Sequence, residues 1–206
     1  MVTLKNRIVL GLLICAGLLI AQPGDLNHIY ENMISTYDSV VTFQADFVQE
    51  NYWPEMEISQ SSNGVIYYDS DNLLMEYSNP EGQIMLIDPN NVTIYDAASQ
   101  QALISPKQAV KLRPIEVIKH YWKISQISIL DETEEGMNLR LKVNNGEIVI
   151  IKIVNSLVSQ ISILDVDKNS VTYKFGGMMI NEEIPAETFE FKIPEDARII
   201  DNRKLN

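Results

Sequence analysis

Cysteine occurs once in the 206 residues, at Cys15, and histidine twice, at His28 and His120. One thiol excludes a disulfide framework and a cysteine-built metal cluster, and two separated imidazoles are too few for a histidine metal cage. Basic residues are scarce as well, 16 against 28 acidic ones, for a formal charge of −12. That balance excludes the basic surface nucleic acid requires and disfavours adsorption to anionic lipid headgroups. The chain has no glycine-rich phosphate loop, no G-x-S-x-G nucleophile elbow, no H-E-x-x-H and no calcium-loop spacing. What remains is ordinary globular composition, 46% hydrophobic and 21% charged, in a chain long enough for one packed domain.

The first segment reads as an address. Lys5 and Arg7 precede an uncharged apolar run, Ile8 to Ile20, which ends at Ala21-Gln22-Pro23-Gly24. The run is shorter than the ~20 residues a membrane-spanning helix needs, and a positive flank before a short apolar centre is the pattern of a secretory signal peptide. Residues 1–21 are therefore expected to be removed, leaving residues 22–206 as one exported, acidic, thiol-free domain. Cys15 does not read as a lipidation site. Ile14 precedes it where a small residue is wanted, and the apolar run continues past it through Leu18-Leu19-Ile20.

From Asp25 to Ser39, Leu26, Ile29, Tyr30, Met33 and Tyr37 form one helical stripe, with Asp25 as the expected N-cap. The pattern then changes to period two, with Phe43, Ala45 and Phe47 on one side. Strand-like runs follow at Val65–Tyr68, Leu73–Ser78, Ile84–Ile87 and Val92–Asp96, each bounded by Gly, Pro, Asn or Asp. A second helical interval is expected from about Ser105 to Trp122, opened by Ser105-Pro106 and kinked at Pro114. Further strands are expected at Ile127–Leu130, Leu139–Val143, Ile148–Val154, Val158–Leu164, Val171–Phe175 and Phe189–Ile193, with Asn145-Gly146 as a hairpin turn. The fold class is mainly β (α+β): an antiparallel meander of about eleven strands with one helix before it and one inserted midway.

Chemistry is thin and apolar surface is plentiful. His120 beside a nearby acid is the one basis for a hydrolase, and His28 flanks the apolar helix stripe. The acidic cluster Asp131–Glu135 reads as a solvated loop, because calcium-ligand spacing is absent. By contrast Phe43, Phe47, Ile66, Tyr68, Leu73, Met75, Tyr77, Val92 and Ile94 share one sheet face if alternation holds, and such a face must be covered. Two short helices cover part of it. Pattern alone leaves open an ordinary packed core or an apolar cavity.

The order of these segments resembles the LolA family of periplasmic lipoprotein carriers. The residues that carry the resemblance are Phe43-x-Ala45-x-Phe47-x-Gln49, Gly64-x-Ile66-Tyr67-Tyr68, Glu76-Tyr77-x-x-Pro80, Ile87-Asp88 before Val92–Asp96, and Phe189-x-Phe191-x-Ile193-Pro194 with Ile199-Ile200-Asp201. The resemblance implies an unclosed antiparallel half β-barrel with a helical lid, LolA/LolB-like, enclosing an apolar cavity. The nine face residues would then bind lipid, and Leu26, Ile29, Met33, Ile115 and Ile118 would form the lid. It implies a monomeric, non-enzymatic periplasmic carrier with no cofactor, taking lipoprotein acyl chains from an inner-membrane ABC-type complex to an outer-membrane receptor or the membrane itself. A lipid-binding sensor of the same fold that does not shuttle is the alternative. One departure is clear: where the family places an Arg-Pro after the second strand, the Arg helping to hold the lid, this chain has Asp69-Ser70-Asp71.

Overall fold

Alternation in β1 (Thr42–Trp53) sets the architecture. Ala45 and Phe47 are buried while Asp46 and Val48 beside them are exposed, so one sheet face is apolar and the other wet. The computed structural model describes residues 23–107 and 114–204. The expected signal segment with Cys15, and residues 108–113 of the expected second helical interval, lie outside the described residues.

A meander runs outward from β1 through β2 (Ile58–Asp69), β3 (Leu73–Asn79), β4 (Gln83–Ile87), β5 (Asn91–Asp96) and β6 (Gln101–Pro106). A second returns through β7 (Ser125–Thr133), β8 (Gly136–Val143), β9 (Ile148–Val154), β10 (Leu157–Leu164) and β11 (Ser170–Ile180), which pairs with β1. The last strand, β12 (Arg198–Asp201), adds to β6. One sheet results, in the order β12-β6-β5-β4-β3-β2-β1-β11-β10-β9-β8-β7. Its edges, β12 and β7, do not meet, so the barrel is unclosed. Helix α1 (Pro23–Asp38) precedes β1, and α2 (Pro114–Ile124) lies in the chain between β6 and β7.

Several sequence expectations are corrected. The sheet has twelve strands, and the β12–β6 pair is parallel. Ser105 and Pro106 end β6 instead of opening a helix; Pro106 lies beyond the β12 partners of β6, Gln101 to Ile104, so its missing N–H breaks no bond on that side. Pro114 begins α2 instead of kinking it, at a position where no N–H is needed. The run Phe189–Ile193 is no strand. Bracketed by Pro185 and Pro194, it leaves the ladder and lays Phe191 on Tyr95, ring centroids 5.6 Å apart. Asp25 lies inside α1, which starts two residues earlier than the expected cap.

The turns are built by aspartate. Asp69 Oδ1 accepts the backbone N–H of Asp71 and Asn72 at 3.2 and 2.8 Å. Asp88 does the same for Asn90 and Asn91 at 2.7 and 2.8 Å, and Asp165 for Asp167 and Asn169 at 2.9 and 2.8 Å. Each carboxylate mimics a strand carbonyl and reverses the chain. Asn145-Gly146 makes the expected hairpin turn, with Gly146 at φ 95°.

The concave face holds two apolar clusters. One contains Leu139, Leu141, Val149, Ile151, Ile153, Val158 and Ile161 from β8–β10 with Met33 and Ile118 from the helices. The other contains Ala45, Phe47, Ile66, Leu73, Met75, Tyr77, Ile87 and Val92 from β1–β5. Gly64 is required within the second, because a Cβ there would meet the Glu76 carbonyl oxygen at 2.0 Å and Tyr77 Cα at 2.8 Å. Both are backbone atoms, so nothing soft is left to yield. Gly64→Ala is expected to destabilise the fold by at least ~1–3 kcal/mol, measured by urea unfolding; an unchanged midpoint would show that β2 and β3 can separate freely.

Candidate functional site

The face opposite the wet side is ordered in rows by strand register. Phe43, Tyr68 and Leu73 are neighbours across β1–β3, then Ala45, Ile66 and Met75, then Phe47, Gly64 and Tyr77. The rows continue outward, Leu73 to Ile87 and Val92, and Met75 to Met85 and Ile94. All nine residues expected on this face therefore join one cluster: Phe47, Ile66, Leu73, Met75, Tyr77 and Val92 are buried, and Phe43, Tyr68 and Ile94 pack against them half-buried. Met85 and Met178 pack against the same cluster. Their unbranched, polarisable side chains can rearrange around an apolar guest.

An apolar cleft opens at the first two rows. Tyr37 and Val40 from α1 and the residues just after it, Phe43, Ile66, Tyr68 and Leu73 from the sheet, and Ile115 from α2 line it. It is narrow, with a cavity volume of ≈ 40 Å³. Phe47 does not line it. That ring is 1% exposed and stands edge-on to Tyr77, centroids 5.0 Å apart at 83°.

The lid residues divide unevenly. Leu26, Ile29, Met33 and Ile118 pack on the β8–β10 cluster, and only Ile115 of the five reaches the cleft. The lid stripe thus rests mostly on the aliphatic half of the sheet. The physical reason is side-chain bulk: Phe, Tyr and Met on β1–β5 fill their own concavity, whereas the aliphatic residues of β8–β10 need the helices above them.

Among the described residues, hydrogen bonds tie the lid down at Tyr37 and Tyr121. The Val158 N–H donates to the Tyr37 hydroxyl at 3.0 Å, joining α1 to β10. The Tyr121 hydroxyl of α2 donates to Glu147 in the β8–β9 turn. Tyr30 and Trp122 stack the helices on each other at 4.9 Å, and Lys119 pairs with Asp38 across them at 3.6 Å, both side chains exposed. Burial pushes the Tyr37 hydroxyl up to about 12, against the lowering effect of the Val158 N–H. Tyr121 is also raised, first by burial and then by its bond to Glu147. These ties took tertiary contact to reveal, although Tyr37 was already visible on the helix stripe.

The remaining candidates are dispersed. His28 lies on exposed α1 within 3.3 Å of Asn32, and His120 stands edge-on to Tyr121 at 5.1 Å. Among the described residues no three His, Cys, Asp or Glu side chains gather to hold a metal. The acidic cluster forms the exposed β7–β8 turn. The departing segment Asp69-Ser70-Asp71 is a turn whose Asp69 carboxylate is engaged by its own loop and by Asn72. No helix of the described residues is long and apolar enough to cross a membrane.

The same arrangement of sheet and helices recurs in known proteins. The family model "Outer membrane lipoprotein carrier protein LolA" matches residues 38–192. The chain belongs to the LolA family. An outer-membrane lipoprotein carrier protein of Pseudomonas putida strain W619 is 27% identical over 130 residues, 59% of this chain and 61% of the relative, so that alignment spans less than two thirds of its length. The protein of the same description from Pseudomonas putida strain GB-1 is 22% identical over 204 residues, 94% of this chain and 97% of the relative. An uncharacterized conserved protein from Thermus thermophilus shares the fold at a TM-score of 0.54 and 15% identity, covering 86% of this chain and 99% of that one. The unclosed sheet with two helices is thus the fold of a LolA family member.

Two expectations follow for the lid. Met33 is 1% exposed, and Met33→Ala should lower stability by ~2–5 kcal/mol in urea unfolding. The buried tyrosines set an alkaline limit. In the unfolded chain Tyr37 ionises near its ordinary 10.0, whereas in the fold it stays neutral until about 12. Above pH 10 the unfolded state binds fewer protons, so stability holds below that pH and falls as pH rises toward 12, by roughly 2–3 kcal/mol from Tyr37 alone. Thermal melts stepped from neutral to pH 11 should show the decline, and Tyr37→Phe should flatten it.

Proposed function

We propose that this LolA family member is a periplasmic carrier that receives the acyl chains of lipoproteins in the cleft and along the β1–β5 face. It would take them from an inner-membrane ABC-type complex to an outer-membrane receptor or the membrane itself. The observation that carries the reading is the cleft between Ile115 of the lid and the Phe43–Tyr68–Leu73 row, backed by a continuous apolar cluster. Support also comes from the family match and from relatives that are themselves outer-membrane lipoprotein carrier proteins.

The physical task is transfer across water. Each exposed methylene costs ~0.8 kcal/mol, so a multiply acylated anchor needs apolar surface throughout the crossing. A carrier meets that need by offering such surface and withdrawing it, with no bond made or broken. In this fold the aromatic and methionine side chains fill the space themselves, so loading must part the lid from the first two rows. The four lid residues held on β8–β10 would keep the helices attached while the Ile115 edge lifts.

Native mass spectrometry of the protein recovered from its own periplasm should show a bound acylated lipoprotein. Phe43→Glu puts a charge at the half-buried cleft wall and should reduce that occupancy ~10-fold or more with the fold retained by circular dichroism. Wild-type occupancy in Phe43→Glu would remove the cleft from the binding route. A free lipid bound in place of lipoprotein, with no transfer between inner- and outer-membrane vesicles, would favour the sensor reading.

A further inference from the structure

Along β1 and β2 the apolar face ends abruptly, while on β11 it goes on to Tyr173, the partner of Gln49 across the ladder. Past the Phe47–Gly64–Tyr77 row, the next position on this face of β1 is Gln49, opposite buried Ser62 on β2. The Tyr77 hydroxyl donates to Gln49 Oε1 at 3.0 Å, and Gln49 Nε2 donates to Asn51 Oδ1 at 3.3 Å. A polar chain therefore stands directly behind a pair of edge-on rings. Phe47 and Tyr77 meet across Gly64, which has no side chain to hold them apart. Burial, and after it the neighbouring Tyr173, raises the Tyr77 hydroxyl above its ordinary range, so it remains a donor to Gln49 at neutral pH.

We infer that Gln49, by pinning Tyr77 against Phe47, closes the apolar lane at a fixed depth and so sets the length of acyl chain the protein accepts. This rests on the carrier reading. From the cleft row at Phe43 to the ring pair at Phe47 is four residues of extended β1, ~13 Å. The hydrocarbon of one membrane leaflet is about 15 Å deep, half of a ≈ 30 Å core. One membrane-length acyl chain laid along the strands thus runs from the mouth to the rings. A longer chain must displace Tyr77 and leave Gln49 and Asn51 facing hydrocarbon with a bond unmade, which is unfavourable. Gln49 acts through Tyr77 and is a positioning residue.

The test uses peptides of one sequence N-acylated with octanoyl, decanoyl, lauroyl, myristoyl, palmitoyl and stearoyl chains, titrated calorimetrically into the mature protein. Wild-type affinity should rise by about fourfold per methylene and then level off as the chain reaches the rings. Gln49→Met and Tyr77→Phe each remove the pin while keeping volume, and each should move the plateau to longer chains. The double variant should move the plateau no further than Gln49→Met alone, since the Tyr77–Gln49 bond is already lost there. A plateau at the same length in wild type and both variants would overturn the assignment, as would a wild type with no plateau. Absence of binding at every length in the wild type would instead remove the carrier reading, and the length limit with it.

Discussion

A curved sheet that does not close must satisfy its concave face without a partner sheet, and the rest of this structure depends on that constraint. Twelve strands present the face, and the chain covers it in two ways. On β8–β10 the inward residues are aliphatic and are covered by Met33 and Ile118 from the helices. On β1–β5 they are aromatic and methionine-rich and largely cover one another. The difference is one of reversibility. The aliphatic cluster makes the helices integral to the fold, while the aromatic cluster meets α2 chiefly through Ile115 and can exchange self-packing for a guest.

The same division bears on the turn after β2, where the resemblance implied an arginine and the chain has Asp69-Ser70-Asp71. No lysine or arginine occurs from residue 8 to residue 106, so β1–β6 contain no basic side chain. The turn that would carry the arginine is instead stabilised within itself by Asp69 and Asn72. Among the described residues the helices are tied to the other half of the sheet, through Tyr37 to the β10 backbone, Tyr121 to Glu147 and the apolar stripe of α1. Apolar area and bonds with one uncharged partner are little affected by salt, unlike an exposed ion pair such as Lys119–Asp38. Among the described residues the helices are thus held to the sheet mainly by packing and by bonds that salt affects little.

The acidic character of the chain fits the same economy. Aspartate is used repeatedly as a structural acceptor at strand ends, where Asp69, Asp88 and Asp165 each cap a reversal and are followed by an asparagine that donates back. Asp96 works similarly with Ser99, whose hydroxyl, the largest cause, holds that carboxyl below its ordinary range. Four of the 28 acidic side chains are thus architectural, each placed at the end of a strand.

The sequence alone determined the elements whose signal is local. Period-two alternation in β1, the α1 stripe, the Asn145-Gly146 turn and the nine residues of the aromatic face were legible because strand geometry forces alternate side chains onto one side. It misread β6, since a short run ending in Ser-Pro carries the same cues as a helix start. It also misread Phe189–Ile193, whose alternation serves ring packing outside the ladder. Only the tertiary structure decided that the helices rest on β8–β10, that β12 joins β6 in parallel, and that Gln49 holds Tyr77. Those outcomes depend on residues far apart in the chain, Tyr37 with Val158, Tyr121 with Glu147, Gln49 with Tyr77. Sheet curvature brings them together, and no local pattern encodes that curvature.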